Sequence, residues 1–301
     1  MVYVRIFFLI VPMFLGLQFA FSQENDNLLS LLREEESTEY ALASFKTNRI
    51  INLHSIEHTA AGVLDFKILH RFGFLNTGPS EFFGLDQATM RLGFDYGLTK
   101  NIQIGIGRSN FEKTYDTYIK YRFLRQSKGK RNIPLSMSLI SGIAIKTNKW
   151  PDPNRENYFS SRLYYHFQLL LARKFSEGFS AQLTPTVVHR NLVASNAVKN
   201  DVYAIGTGIR QKLTKRISLN VEFIYVLPNQ IETNFNHSFS IGFDIETGGH
   251  VFQLHFTNST SMVEKGFVAE TVGDWTKGDI RFGFNISRVF TLVKPKIKPI
   301  E

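Results

Sequence analysis

The sequence predicts an all-β protein, namely an antiparallel up-and-down transmembrane β-barrel of about 12 strands with a short N-terminal periplasmic segment. Three observations predict this fold class: an export signal at the N-terminus, apolar and polar residues that alternate with a period of two, and connections that are alternately short and long. A soluble antiparallel sandwich also alternates, but it directs its apolar face inward and its polar face to water.

The composition excludes several other classes of protein. The chain has 301 residues, a formal net charge of +9 and no Cys, which excludes disulfides, thiolate catalysis, Cys-ligated metal centres and a lipid-modified N-terminal Cys. The mean hydropathy is −0.11. Beyond the first two dozen residues no apolar run reaches the ~20 residues of a membrane-spanning helix, so a helical bundle is not expected.

Residues 1–22 are predicted to be a signal peptide. A positive charge at Arg5 is followed by an apolar stretch from Ile6 to Phe21, and the small residues Ala20 and Ser22 precede a cleavage site. An uncleaved anchor is the alternative, but the apolar stretch is shorter than the ~20 residues that span a bilayer. We therefore expect the mature chain to be exported.

Residues 23–61 are predicted to form a periplasmic leader or a plug segment. Between Gln23 and Glu39 the chain carries six acidic residues and one Arg, whereas the rest of the mature chain is strongly basic. An acidic segment on the periplasmic side is attracted to a basic lumen. The acidic leader is therefore a candidate plug.

The barrel itself is predicted to span residues 62–290, followed by a C-terminal tail at 291–301. Its strands show the period-two alternation, as in Leu163 to Leu171, where apolar residues alternate with polar ones such as His166 and Gln168. The twelve predicted strands are 62–72, 87–97, 101–109, 114–124, 133–147, 157–175, 179–190, 200–213, 217–227, 237–246, 250–257 and 279–290. Most have the ~9–11 residues that a tilted strand needs to cross a bilayer.

The connections between these strands alternate in length. The five connections after even-numbered strands total 20 residues, whereas the six after odd-numbered strands total 66 residues. Outer-membrane barrels have short periplasmic turns at one end and long loops at the other. This asymmetry also places both ends of the barrel domain on the periplasmic side.

Aromatic residues of the apolar face cluster at both strand ends, as expected at two lipid–water interfaces. They are Phe72, Tyr115, Phe159 and Tyr203 toward the long loops, and Tyr96, Phe123, Phe175, Phe179 and Phe290 toward the short turns. Such belts favour the membrane barrel over an exported soluble β-domain.

Three stretches resemble a known family. They are EFFGLDQATMRLGFDYG at 81–97, GIGRS at 105–109 and DIRFGFNISRVF at 279–290. They are similar to a Bacteroidota family of outer-membrane β-barrels catalogued as a domain of unknown function, over about residues 45–293. The resemblance implies a barrel fold and an outer-membrane location, and it brings no known activity or site residues.

One string matches a metalloprotease signature: His54-Ser55-Ile56-Glu57-His58 has the HxxEH pattern of the inverzincins. Those enzymes need the motif on a helix, together with a third ligand downstream. Here it shows little helical periodicity and runs almost directly into the first strand. Zinc hydrolysis, incidental metal binding and a periplasmic or lumen-plugging segment remain alternatives, of which we favour the last.

The inward face of the predicted barrel is mostly basic. Strand parity places eleven basic residues there (Lys67, Arg71, Arg91, Lys120, Arg122, Lys146, Arg162, Lys174, Arg210, Lys212 and Arg281) and four acidic ones (Asp65, Asp95, Glu222 and Asp244). Four carboxylates cannot pair with eleven bases, so the excess must be hydrated, bind anions or meet an acidic plug. A structural ion-pair network that fills a narrow lumen is the alternative interpretation.

The resulting hypothesis is a passive outer-membrane pore or binding site for small anionic solutes. Its candidate lumen-lining residues are Arg91, Lys120, Arg122, Arg162, Arg210 and Arg281. No catalytic residue is predicted, because the chain has no GxSxG elbow and no assignable nucleophile. No metal ligand and no cofactor is predicted either.

The expected partners are outer-membrane lipid, small anions and a periplasmic protein. Nucleic acid is not expected, because the basic cluster from Arg125 to Arg131 lies on a short periplasmic turn of an exported chain. Two alternatives from other classes stay open: a non-conducting barrel that is a scaffold for a partner, and a barrel lipid hydrolase.

Overall fold

The computed structural model describes residues 37–150, 152–195 and 198–294. The predicted signal peptide, most of the acidic leader and the last seven residues of the predicted tail lie outside the described residues. Within the described chain no helix is long and apolar enough to cross a membrane.

Twelve strands form a closed antiparallel barrel, which confirms the predicted fold class. The barrel strands are β2 (Val63–Phe74), β3 (Ala88–Gly97), β4 (Ile102–Ser109), β5 (Thr114–Leu124), β7 (Ser136–Lys146), β8 (Leu163–Lys174), β9 (Phe179–Arg190), β10 (Asp201–Lys212), β11 (Ile217–Val226), β12 (Ser238–Thr247), β13 (His250–Thr257) and β14 (Arg281–Thr291). Each strand pairs with its sequence neighbour, and β14 closes the barrel on β2 with Phe284 opposite His70.

Two strands start three or more residues later than their alternation predicts. β7 begins at Ser136 rather than 133 because Ile133 pairs with Ser127 across the preceding turn. β8 begins at Leu163 rather than 157 because Phe159–Arg162 form a 3-10 turn. Further 3-10 turns lie at Leu75–Thr77, Pro79–Gly84, Phe111–Lys113 and Trp275–Lys277.

The connections divide the barrel into a short-turn end and a long-loop end. The turn Thr247–His250 joins β12 to β13 at the short-turn end, whereas the loop of residues 258–280 joins β13 to β14 at the other. Beside the short-turn end, β1 (Thr38–Tyr40) pairs with β6 (Ser127–Gly129) in a separate two-stranded sheet. The chain therefore enters the described structure at the short-turn end, as the predicted topology requires.

The outer face of the barrel is apolar. Exposed side chains on it include Leu92, Phe94, Ile119, Phe167 and Ile205. A soluble protein rarely exposes such a continuous apolar surface, and a bilayer covers it.

Two segments fill the lumen, one from each end. The plug hairpin (residues 41–61) enters from the short-turn end, and almost every residue from Ser44 to Ile56 is buried. The inserted loop (residues 258–280) folds in from the long-loop end and carries the one α-helix of the described residues, α1 (Glu264–Ala269), which is buried along its whole length. The lumen is therefore packed with protein rather than left as an open channel.

The apolar core lies inside the barrel. The plug hairpin contributes Phe45, Ile50 and Leu53, and α1 contributes Phe267 and Val268. They pack against inward-facing apolar residues of the wall, namely Ile140, Leu170, Val188, Val202 and Ile224. The apolar part of the lumen wall thus lies on β7 to β11, where it alternates with buried polar residues such as Gln182 and Glu222.

Candidate functional site

The plug hairpin is a tight reversal of the chain. Arg49 and His54 face each other as an antiparallel bridge, and the Ile50 amide donates to the Leu53 carbonyl over 2.8 Å. Ile51 and Asn52 form the tip of the hairpin. Both arms lead back to the short-turn end, where the Gly62 amide donates to the Gly97 carbonyl at the start of the barrel.

One wall carboxylate binds the tip. Glu222 on β11 is buried and accepts hydrogen bonds from three successive backbone amides, those of Ile51, Asn52 and Leu53, over 2.9–3.2 Å. Consecutive amides that point at one anion form a concave binding site for it. A buried carboxylate needs such partners, because an unpaired buried charge is strongly unfavourable.

Wall amides hold the hairpin backbone at several further points. Gln253 donates to the Ile50 carbonyl over 2.8 Å, Asn285 donates to the Ile51 carbonyl over 3.0 Å, and Gln182 donates to the His54 carbonyl over 2.7 Å. These hydrogen bonds are made to backbone carbonyls of the hairpin. They therefore fix the position of its main chain whatever side chains it carries.

Two of the six candidate basic residues bind the hairpin in the same way. Lys120 is fully buried and donates to the carbonyl oxygens of Ser55, at 2.6 Å, and of Glu57. Arg210 donates to the Ala43 carbonyl over 3.1 Å. Both cations are thus partnered by plug backbone and would lose those partners if the hairpin left the lumen.

Arg91 has a different environment. It is buried and forms a bidentate ion pair with Asp116, its Nε donating to Oδ1 over 2.9 Å. Asp116 faces inward from β5 and was not among the four acids of the sequence analysis. Bidentate Arg–carboxylate pairs are geometrically specific, so Arg91 is partnered by the wall itself and not by the plug.

The other three candidates lie near strand ends. Arg122 donates to the Lys100 carbonyl at the short-turn end. Arg162 donates to the Asn148 carbonyl over 2.6 Å at the long-loop end. Arg281, at the first residue of β14, donates to the Phe72 carbonyl over 2.9 Å. The structure therefore brings Arg91, Lys120 and Arg210 into the filled lumen and places these three at its ends.

Two glycines on β10 make room for the plug. A Cβ on Gly206 would lie 2.6 Å from Leu53 Cδ1, and a Cβ on Gly208 would lie 2.2 Å from Ile50 Cδ1. Real side chains do not approach that closely. The apolar side chains of the hairpin thus explain why β10 has glycine at these two inward positions.

The hairpin and the inserted loop meet at a buried cluster. Glu264 at the start of α1 accepts a hydrogen bond from Arg49 over 2.7 Å, and its Oε1 lies 3.2 Å from His54 Nε2. Its other oxygen, Oε2, lies 4.0 Å from Nε2 of His166 on β8. Three separate elements of the molecule therefore contribute to one cluster.

A second ionic group anchors the inserted loop at the long-loop end. Lys265 of α1 donates to Glu112 over 2.8 Å and forms an ion pair with Glu270 at 2.7 Å. Partial burial acts to raise the pKa of Glu112, but the ammonium groups of Lys265 and Lys146 outweigh it, and the pKa lies below its ordinary value. Glu112 is therefore ionised wherever the loop is in place at neutral pH.

The HxxEH string has no metalloprotease geometry. His58 contacts Ser138 Oγ at 3.1 Å, while His54 faces Glu264 instead. The string lies on an extended hairpin and not on a helix, so its two His side chains have different partners. On the outer face, His189 Nδ1 lies 2.7 Å from Asp201 Oδ1.

Comparison with known proteins identifies the family. Residues 45–290 match the family described as "Membrane bound beta barrel domain (DUF5777)". The chain belongs to this family. The match begins at Phe45, so it includes the buried part of the plug hairpin as well as the barrel. Closed antiparallel barrels that cross membranes are outer-membrane structures, and this location follows for the chain.

No curated protein matches the sequence. Among solved structures, the NanC porin matches with a TM-score of 0.47 and 8% identity, covering 76% of this chain and 98% of that chain. An outer membrane channel from Pseudomonas putida F1 matches with a TM-score of 0.45 and 12% identity over 78% and 97% of the two chains. The KdgM porin matches with a TM-score of 0.43 and 11% identity over 76% and 99%. These likenesses are distant, so the function is argued from the residues of this chain.

Proposed function

We propose that this protein is an outer-membrane channel for small solutes that is closed by the plug hairpin and the inserted loop. The observation that carries the proposal is the way in which the two segments enter. Both arms of the hairpin return to the short-turn end, and both arms of the loop return to the long-loop end. Each can therefore leave the lumen without breaking a barrel strand pair.

The barrel closes without the plug. The ladder between β14 and β2 runs from Arg281 opposite Phe74 to Thr291 opposite Val63, and it contains no residue of the hairpin. Since a closed barrel has no free edge, it keeps its strand pairing when the interior is hydrated. An empty lumen is therefore compatible with the fold.

Solutes entering the opened lumen would meet uncompensated basic groups. Withdrawal of the hairpin leaves Lys120 and Arg210 without the carbonyl partners that they have now, whereas Arg91 keeps Asp116. Glu222 loses its three backbone amides at the same time, so two cations are exposed against one carboxylate. Cations on a low-dielectric wall attract anions and exclude cations. We therefore propose that the open state favours small anionic solutes, with Lys120 and Arg210 contributing most.

The test is planar-bilayer recording with three variants of the full chain. In the first, residues 44–58 are replaced by a short Gly-Ser linker. In the second, residues 259–272 are replaced in the same way. Asn258 Nδ2 donates to the Gly273 carbonyl over 2.8 Å, so the two ends that the linker must join already lie side by side. The third combines both changes. We expect little current from the intact chain and the largest current from the combined variant.

Selectivity is tested in the combined variant. Lys120→Gln together with Arg210→Gln should shift the reversal potential toward cation permeability under a salt gradient, whereas Lys128→Gln, on the exposed β6 turn, should leave it unchanged.

A single substitution in the intact chain, Glu222→Gln, should weaken the contact with the hairpin tip and produce brief channel openings. A combined variant that is folded and silent would overturn the channel.

The filled lumen favours one other function. A barrel with a packed interior is suited to be a non-conducting scaffold, in which the β1–β6 sheet beside the short-turn end offers a surface to a periplasmic protein. A folded, silent combined variant would support this scaffold. Deletion of residues 23–36, which lie outside the plug hairpin, is the control for any effect of the acidic leader.

A further inference from the structure

We propose that His54, His166 and Glu264 form a binding site for a divalent transition metal such as Zn²⁺, which pins the plug hairpin and the inserted loop to the barrel wall. The proposal deepens the channel proposed above and rests on it for its regulatory meaning. The three ligand atoms lie within 4.8 Å of one another. Two imidazole nitrogens and a carboxylate oxygen are a common ligand set for zinc.

The burial of the cluster is the first argument. His54 is 0% exposed, Glu264 1% and His166 3%. Yet His54 Nδ1, His54 Nε2 and His166 Nε2 have no hydrogen-bond partner with good geometry among the described residues. Buried polar atoms are nearly always satisfied. A metal ion between these atoms would satisfy the two nitrogens that face Glu264.

The rings are held in place by packing, which is the second argument. His54 packs edge-on against Tyr118 with ring centroids 4.4 Å apart. His166 lies against Gly142, where an added Cβ would come within 2.5 Å of Nε2. The imidazole of His166 therefore occupies the space that a side chain at position 142 would need. Packing thus fixes the position of both rings before any metal binds.

The distances fit coordination after a small adjustment. Glu264 Oε1 lies 3.2 Å from His54 Nε2, and Glu264 Oε2 lies 4.0 Å from His166 Nε2. Zinc binds nitrogen at ~2.0–2.1 Å and carboxylate oxygen at ~2.0–2.2 Å, so tetrahedral ligand atoms are separated by about 3.3 Å. Three protein ligands leave a fourth position for water or a solute.

Arg49 sets the affinity. Its guanidinium donates to Glu264 Oε1 over 2.7 Å and already compensates the carboxylate. A divalent cation must bind against this positive charge. We therefore expect modest affinity in the intact chain and about tenfold tighter binding in Arg49→Gln, which corresponds to 1.4 kcal/mol.

The three ligands belong to three elements that separate when the channel opens. His54 leaves with the hairpin, Glu264 with the inserted loop, and His166 remains on β8. The complete site exists only in the closed state. Binding of the metal therefore stabilises that state by mass action, and the metal closes the channel.

The test is titration of ZnCl₂ into purified, untagged, chelator-treated full-length barrel in detergent, measured by calorimetry and by metal analysis after gel filtration. We expect one ion per chain. His54→Gln, His166→Gln and Glu264→Gln should each weaken binding at least tenfold. His255→Gln is the matched control, since His255 is an equally buried lumen imidazole that lies outside the cluster.

Folding of every variant is checked by heat-modifiable mobility. Stoichiometric binding that is lost in the three ligand variants and kept in the control supports the site. No binding, or binding unchanged in the ligand variants, overturns it, whatever the channel does. Because titration does not require conductance, a silent channel with intact zinc binding would overturn only the proposed function. In planar-bilayer recordings, zinc should lower the frequency of channel openings in Glu222→Gln but not in Glu222→Gln/His166→Gln.

Discussion

Gly208 on β10 faces the side chain of Ile50 from the plug hairpin. A Cβ on Gly208 would lie 2.2 Å from Ile50 Cδ1, and Ile50 is fully buried. The period-two alternation of β10 places Gly208 on the inward face. Its reason, however, lies on a segment more than 150 positions earlier in the chain.

Gly208→Val should destabilise the closed state, because overpacking of a filled interior typically costs about 1–3 kcal/mol. Ile50→Ala in the same chain should restore much of the loss by vacating the space, which a double-mutant cycle measures as coupling. The readouts are thermal unfolding followed by circular dichroism and hydrogen exchange of the hairpin amides.

The control for this pair is Gly248→Val, since an added Cβ there meets nothing within 4 Å. Gly248→Val should change thermal unfolding little. If Gly208→Val and Gly248→Val behave alike, or if Ile50→Ala does not couple to Gly208→Val, the hairpin does not pack against β10 as described.

Strand β8 has one face on the outside of the barrel and the other in the packed lumen. Phe167 is 49% exposed on the outer face, whereas its neighbours His166 and Gln168 are buried in the lumen. The alternation thus separates a lipid face from a packed face. It does not separate lipid from water, because the lumen is filled.

Phe167→Arg should impair folding into lipid vesicles, because a cation at mid-membrane on the lipid face costs about 2–4 kcal/mol. Phe167→Leu is the matched control and should fold almost normally. The measurement is the folded fraction in vesicles as a function of urea. Equal folding of the two variants would show that Phe167 does not face lipid.

The inserted loop is held by an acid-sensitive anchor, Glu112, which lies on the turn between β4 and β5 and accepts a hydrogen bond from Lys265 of the loop. The pKa of Glu112 is lower in the folded protein than its ordinary value of 4.5, since Lys265 and Lys146 outweigh the effect of burial. A lowered folded pKa gives a contribution that is fully present above the ordinary value and is lost as the pH falls through the folded value. The loop should therefore stay anchored at pH values above 4.5 and loosen as the pH falls through the lowered pKa of Glu112.

Trp275 reports this loosening, since its indole donates to the Phe239 carbonyl over 2.9 Å. In a Trp150→Phe background its fluorescence should change in acid. Glu112→Gln should weaken the anchor at every pH and remove the part of the acid transition that Glu112 causes. An unchanged acid transition in Glu112→Gln would mean that other groups anchor the loop.

At the scale of the whole molecule, all twelve barrel strands are paired on both sides, so the barrel has no free edge. We expect the purified protein to migrate differently on gels with and without boiling, as closed barrels resist unfolding by detergent. The variant without residues 44–58 should keep this property, because the strand ladders exclude the hairpin, but at a lower melting temperature. Identical mobility with and without boiling would contradict a closed membrane barrel.

The sequence by itself determined the barrel, its twelve strands and its two ends. Alternation with period two is a local property that depends on side chains two residues apart, and connection length can be read along the chain. The same parity also placed Arg91, Lys120 and Arg210 on the inward face. These features need no knowledge of which distant segments touch.

Only the tertiary structure decided what fills the lumen. Residues 41–61 gave a weak local signal because many of their contacts join backbone groups to wall residues such as Glu222 and Gln253, more than 150 positions away. The apolar residues around α1 were counted as part of a long loop, although Phe267 and Val268 are completely buried. The cluster of His54, His166 and Glu264 joins three elements far apart in sequence. Spacing along a chain cannot reveal such a site, because its geometry exists only when the barrel closes around both segments.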